Sequence, residues 1–136
     1  MTAAHAYIIK DERVLLGKRL KQDEHVGKWA TFGGIIKKDE TPQEALYREL
    51  QEELGIEIID PEYVDIFEDE SGHEIQFFVI RNWSGQPRNL KEHSEINWFD
   101  YSEISKISMV SYVRDIMHKY LEKDKADKLH TPKDYD

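Results

Sequence analysis

Three glutamates, Glu49, Glu52 and Glu53, fall within one short stretch of the chain. At roughly 100° per residue of α-helix, with Glu49 at 0°, Glu52 lies at about 300° and Glu53 at about 40°. The three carboxylates therefore share a face about 100° wide, with the small Ala45 among them at about 320°. Like charges at these spacings destabilise a helix by roughly 0.2–0.5 kcal/mol per pair, so such a face requires a reason. One reason is a solvated acidic surface, the usual meaning of a charge run. The other is a site for hard divalent cations, which bind carboxylate oxygens and keep waters. Magnesium in particular binds through a few carboxylates together with substrate phosphates.

The element that must carry these carboxylates has clear ends. Thr41 suits an N-cap, Pro42 the first helical position, and Glu44 completes a capping box. Gly55 supplies the stop, which predicts a helix over 42–54. Leu46, Leu50 and Leu54 form an apolar stripe beside the acidic face and would seat the helix on a sheet. Ahead of it, Ala3 to Lys10 is β-compatible, Asp11-Glu12-Arg13 reads as a tight turn, and Val14-Leu15-Leu16 starts a returning strand. Lys18 to Lys28 is charged and aperiodic, a loop. Trp29 to Ile36 leans to strand and holds Gly33-Gly34, glycines that permit positive φ or let a ligand approach the backbone. Beyond the helix, 63–67 and 74–81 read as strands joined by a turn at Ser71-Gly72. Residues 84–87 read as a loop and 95–99 as a short strand. Residues 109–121 have the i, i+3, i+4 spacing of an amphipathic helix. Strands around two helices imply a mixed sheet with helices on its faces.

The chain has 136 residues, 39% of them hydrophobic and 35% charged, enough for one domain with a modest core. A domain over 1–123 with a polar tail over 124–136 is expected. The absence of cysteine excludes a disulfide scaffold, a thiolate zinc site and thiol catalysis. A net charge of -9 disfavours wrapping a nucleic-acid polymer, because counterion release needs a basic face. No apolar run is long enough for a membrane span, and the first residues lack a secretion signal, so a cytoplasmic domain is the expectation.

Read outward from the helix, Gly34, Glu40, Arg48-Glu49-Leu50, Glu52-Glu53 and Gly55-Ile56 stand at the spacing G-x5-E-x7-R-E-U-x-E-E-x-G-U, where U is aliphatic. This resembles the Nudix box at every defined position. Leu15-Leu16-Gly17-Lys18-Arg19 and Trp29 ahead of the glycine pair resemble the flanks of small MutT-like members. Two departures lie outside the defined positions: Phe32 where many members have Pro, and Asp39 where many have Gly.

The resemblance implies an α/β/α sandwich with a mixed β-sheet and hydrolysis of a nucleoside diphosphate linked to another group. It implies a divalent cofactor, Mg2+ with Mn2+ able to substitute, held by Glu49, Glu52 and Glu53 with Glu40 assisting. Glu52 is the first choice for direct coordination, and Arg48 would orient Glu49. Gly33, Gly34, Arg19 and Phe32 are candidates for substrate contact. A base to take the water's proton would be a box glutamate, Glu92 or, by preference, Glu95. Trp29, Phe78 and Trp98 are alternative base-stacking residues, each also a natural core residue. The implied substrate is a small nucleoside triphosphate, ordinary or oxidised, cleaved to monophosphate and pyrophosphate. Alternatives are another nucleoside diphosphate derivative, such as ADP-ribose or a nucleotide sugar, and a non-catalytic nucleotide-binding module. The intact box glutamates argue against the last of these, and a homodimer is left open.

Overall fold

A computed structural model of the chain describes residues 2–20, 27–69, 71–90, 93–110 and 113–120. The opening hairpin is β1 (Thr2–Lys10) and β2 (Arg13–Arg19), turned by Asp11 and Glu12, both at positive φ. β1 and β2 pair only beside that turn, through residues 8–10 and 13–15. They then diverge, and the fork is filled by β3 (Trp29–Ala30) on β2 and β4 (Phe32–Ile35) on β1. The expected strand over 29–36 is thus broken at Thr31, where the chain crosses from one partner to the other. The expected loop over 18–28 begins later, because β2 runs on through Lys18 and Arg19. Both edges of that strand end are hydrogen-bonded, to β3 and to β9 (His93–Asp100).

β7 (Glu74–Ile80) lies parallel to β1 on its other edge, and β6 (Glu62–Glu68) closes that side antiparallel to β7. The result is a seven-stranded mixed sheet with the path β3-β2-β1-β7-β6, β4 on β1 and β9 on β2. β5 (Glu57–Ile59) and β8 (Asn82–Ser84) form a separate two-stranded ribbon. Ser84, expected in a loop, instead ends β8, and neither strand of the ribbon carries a sequence signal, because three residues are too few to display alternation. A 3-10 helix, Tyr101–Lys106, follows β9.

The helix α1 (Pro42–Leu54) has the predicted bounds and caps. Thr41 Oγ1 accepts from the Glu44 amide at 3.1 Å, while Glu44 Oε1 accepts from the Thr41 amide at 2.8 Å. Gly55 closes it in the left-handed region at φ 70°. Leu46, Leu50 and Leu54 are fully buried against Ala4, Ala6, Ile8, Leu15 and Phe78. Three such burials contribute roughly 1.5–3 kcal/mol each, which outweighs the like-charge repulsion on the acidic face several-fold.

The opposite sheet face, with Tyr7, Val14, Leu16, Phe77 and Phe99, packs on a second helix, α2 (residues 113–120), through Val113, Ile116 and Met117. The expected α/β/α sandwich is therefore present. Residue 121 of the expected second helix, residues 21–26 of the expected loop and the tail lie outside the described residues. Among the described residues, no helix is long and apolar enough to cross a membrane.

Candidate active site

α1 is laid against β4, so its acidic face meets the glycine pair. The Gly33 amide donates to Glu53 Oε2 at 3.2 Å, and Glu53 is only 3% exposed. Gly34 sits against Glu49 so closely that a Cβ on Gly34 would lie 2.5 Å from the Glu49 carboxylate. A solvated acidic surface does not bury one carboxylate and press another on backbone. Glu52 alone of the three is exposed.

Arg48 organises this cluster. Its Nε and Nη2 fork onto the two oxygens of Glu40 at 2.7 and 2.9 Å, and its Nη1 donates to Glu49 Oε1 at 2.7 Å. Nη2 also donates to the Ile35 carbonyl at 3.0 Å, and Nη1 stands 4.0 Å from Glu52 Oε2. Arg48 thus orients Glu49, as the resemblance implied, but its two-pronged partner is Glu40. That pair spans the N-cap of α1 at a separation of eight residues, invisible to helical periodicity. The Arg48 fork, with the Lys37 amide, pulls the Glu40 carboxyl down to about 2. Glu40 in turn raises the Arg48 pKa.

The loop carrying Glu40 explains one departure from the family pattern. Asp39 has φ 67°, the left-handed region that glycine enters without strain and aspartate tolerates. At the other end of α1, the Leu90 amide donates to the Glu53 carbonyl and the Arg88 amide to the Leu54 carbonyl, at 3.1 and 3.0 Å. These bonds satisfy carbonyls that a helix end otherwise leaves open. Nothing in the sequence pattern singled out this strap.

Other candidates are placed differently. Glu95 pairs across β2 and β9 with Lys18, whose ammonium is 3.7 Å from it and lies over Trp29. Trp29 packs in the cluster that faces α2, so strand alternation puts Glu95 on the sheet face opposite α1. The structure does not bring Glu95 to the carboxylates. Glu92 lies outside the described residues. Phe32 is corrected to a core residue: it is 1% exposed, edge-on to His93 at 5.0 Å, and offers no open face for stacking. Phe78 is equally buried.

Arg19 is half-buried at the end of β2 and acts electrostatically on His5 of β1. His5 Nδ1 is 3.1 Å from Thr31 Oγ1, and burial, reinforced by the Arg19 charge, lowers its pKa to about 4. His5 and Thr31 carried no spacing signal in the sequence.

Among the described residues no three side chains form a ready-made metal cage. Glu40 and Glu49 are drawn to Arg48, and Glu53 to the Gly33 amide. The donor set nevertheless fits a hard divalent cation: it is all carboxylate oxygen, with Glu49, Glu52 and Glu53 on one helix and Glu40 just before it, and Gly34 leaves no room for a side chain beside Glu49.

The sequence matches the NUDIX domain family model over residues 1–120. It is 46% identical to a CTP pyrophosphohydrolase of Escherichia coli over 59 residues, 43% of this chain and 44% of that protein. That match spans less than half of the relative. It is 33% identical to an 8-oxo-dGTP diphosphatase of Haemophilus influenzae over 87 residues, 60% of this chain and 64% of that one. Among solved structures, the Escherichia coli ORF135 protein superposes with a TM-score of 0.82 at 28% identity, covering 92% of this chain and 91% of that one. A MutT NUDIX hydrolase from Burkholderia pseudomallei gives 0.74 at 25% identity, covering 83% and 92%. The family generally uses divalent metal ions such as Mg2+. With α1, its glycine partner strand and the sandwich around them all matched, the chain belongs to the Nudix family as a MutT-like hydrolase of phosphoric anhydride bonds.

Proposed function

We propose that the protein is a Mg2+-dependent pyrophosphohydrolase that cleaves a nucleoside triphosphate, ordinary or oxidised, to the monophosphate and pyrophosphate. The observation that carries this reading is the compression of Glu49 and Glu53 against Gly34 and Gly33, a packing that solvation of an acidic face does not require. The similarity to proteins named for CTP and 8-oxo-dGTP supports the substrate class.

Glu49, Glu52 and Glu53 would hold the cation, with Glu40 assisting directly or through water. When bound, Mg2+ neutralises phosphate oxygens and lowers the pKa of coordinated water. Arg48 keeps Glu49 and Glu40 from splaying into solvent, which preorganises the carboxylates before substrate arrives. Gly34 lets the Glu49 carboxylate lie directly on the β4 backbone, and Arg19 supplies a positive charge at the end of β2. A box glutamate with an oxygen left free of the cation would accept the proton of the attacking water. Attack at phosphorus forms one P–O bond and breaks the anhydride P–O bond, and the pyrophosphate oxygen takes the electron pair.

The test incubates purified protein and Mg2+ with ordinary and oxidised nucleoside triphosphates, ADP-ribose and dinucleoside polyphosphates, and separates the products by chromatography. Monophosphate and pyrophosphate in equal amounts from a triphosphate support the proposal. Turnover confined to ADP-ribose or dinucleoside polyphosphates refutes the substrate class. Nucleotide binding with no product refutes the enzymatic reading.

A further inference from the structure

The end of the sheet farthest from α1's carboxylates carries a second concave site. Ala4 pairs with Gly34, whereas Lys10 closes the other end of β1, six residues on and about 20 Å away at the usual strand rise. There a cleft of about 480 Å³ opens between β1, β9 and the β5–β8 ribbon. Trp83 and Trp98 stack with ring centroids 6.0 Å apart and planes within 22°, and both line the cleft while remaining half-buried against the core. Ile59 and Pro87 add apolar wall, and Lys10 and Arg81 add charge.

The charge is the unexpected part. The chain contains 28 acidic residues and a net charge of -9, yet among the described residues no carboxylate lines this cleft and two cations do. Arg81 is already held, by Glu62 at 3.9 Å and by the Tyr120 hydroxyl. Lys10 makes no ion pair with any described residue and is exposed. Paired indoles offer a π-face to a planar ring, and an adjacent ammonium offers an anion contact. A concave apolar floor with a few polar groups at its rim is the general form of a small-ligand site.

We propose that this cleft is a second nucleotide site, which takes a nucleoside monophosphate with its base on the Trp83–Trp98 indoles and its phosphate at Lys10. The proposal does not depend on the reading of α1, because the cleft shares no residue with the carboxylate cluster.

The chain's three tryptophans make the test internal. Trp29 lies at the fork beside the glycine strand, while Trp83 and Trp98 line the cleft. The 15N-labelled protein is titrated with AMP and with CMP in EDTA, and the three indole N–H resonances are followed after assignment by single Trp→Phe variants. The expected result is saturable movement of the Trp83 and Trp98 signals with Trp29 unmoved. Lys10→Glu, at an exposed strand end, should weaken AMP about tenfold, as should removing the phosphate by using adenosine. Lys10→Glu should leave triphosphate turnover as it is. Absence of saturable movement at millimolar AMP and CMP overturns the proposal. So does Trp29 moving in step with the other two, adenosine titrating like AMP, or unchanged affinity in Lys10→Glu. Loss of turnover in the product assay with the indole shifts intact refutes the catalytic reading alone.

Discussion

Two adjacent glycines should fail in opposite ways when replaced by alanine. At Gly33, φ is 151°, and an added Cβ would lie 2.1 Å from the Ala4 carbonyl oxygen and 2.7 Å from His5 Cα. Both atoms belong to the β1 backbone that pairs with β4, so neither can step aside. Strain of about 1–3 kcal/mol from the backbone conformation adds to about 1–3 kcal/mol of overpacking. Gly33→Ala should therefore lose about 2–6 kcal/mol. At roughly 4 °C per kcal/mol for about 120 residues, Tm should drop by about 8–24 °C. At Gly34 the obstruction is the Glu49 carboxylate, 2.5 Å away at its carbon and Oε1. That is the end of a flexible side chain, so it swings out, and it loses the 2.7 Å contact to Arg48. The stability loss should stay near 1 kcal/mol, since a partly exposed ion pair contributes little. Misplacing a carboxylate by an ångström or more should instead lower kcat/KM by about 10²-fold. Thermal unfolding and pyrophosphate release, measured on both variants, separate the two. Gly33→Ala melting within about 2 °C of the native protein, or Gly34→Ala turning over at the native rate, refutes the reasoning.

Arg48→Lys keeps the charge but cannot fork onto Glu40, and it should lower kcat/KM at least tenfold with little change in Tm; full activity would count against Arg48 as the organiser of the carboxylates. Asp39→Gly relieves a left-handed aspartate and should stabilise by about 0.5–1 kcal/mol, read as a higher Tm, with a lower Tm as the contrary result. His5 has its pKa lowered from 6.5 to about 4, so the unfolded chain binds more protons between those values. Its contribution to stability is complete above pH 6.5 and is lost as pH falls toward 4, with a slope of at most about 1.4 kcal/mol per pH unit. His5→Gln should flatten that part of the Tm–pH curve, and a parallel curve would show that His5 is not the responsible group.

The parts of the fold legible in the sequence are those where a local signal and the tertiary structure agree. Thr41, Pro42, Glu44 and Gly55 fix α1 by chemistry within one turn of each end, and the leucine stripe fixes the face it buries. The same wheel grouped the three carboxylates but could not rank their exposure. That ranking depends on β4, which buries Glu53 and leaves Glu52 open. The Glu40–Arg48 fork and the 88–90 strap join residues across element ends, where no period operates. Glu95 was misplaced for a related reason: proximity in sequence to a polar loop says nothing about sheet face, and the register with Lys18 turns it away from α1. Phe32 stands in the glycine-rich segment expected to meet substrate, yet strand alternation sends its ring into the core. The β5–β8 ribbon owes its existence to pairing between segments 25 residues apart, and neither strand carries enough residues to signal it alone.

The account rests on carboxylates of one helix gripping doubly charged ions. Crystals of the protein soaked in MnCl2 and measured near the manganese absorption edge test this directly. The account predicts an anomalous peak among the side-chain oxygens of Glu49, Glu52 and Glu53, lost in crystals of Glu53→Gln. No peak beside α1, with manganese bound elsewhere or nowhere, would contradict it.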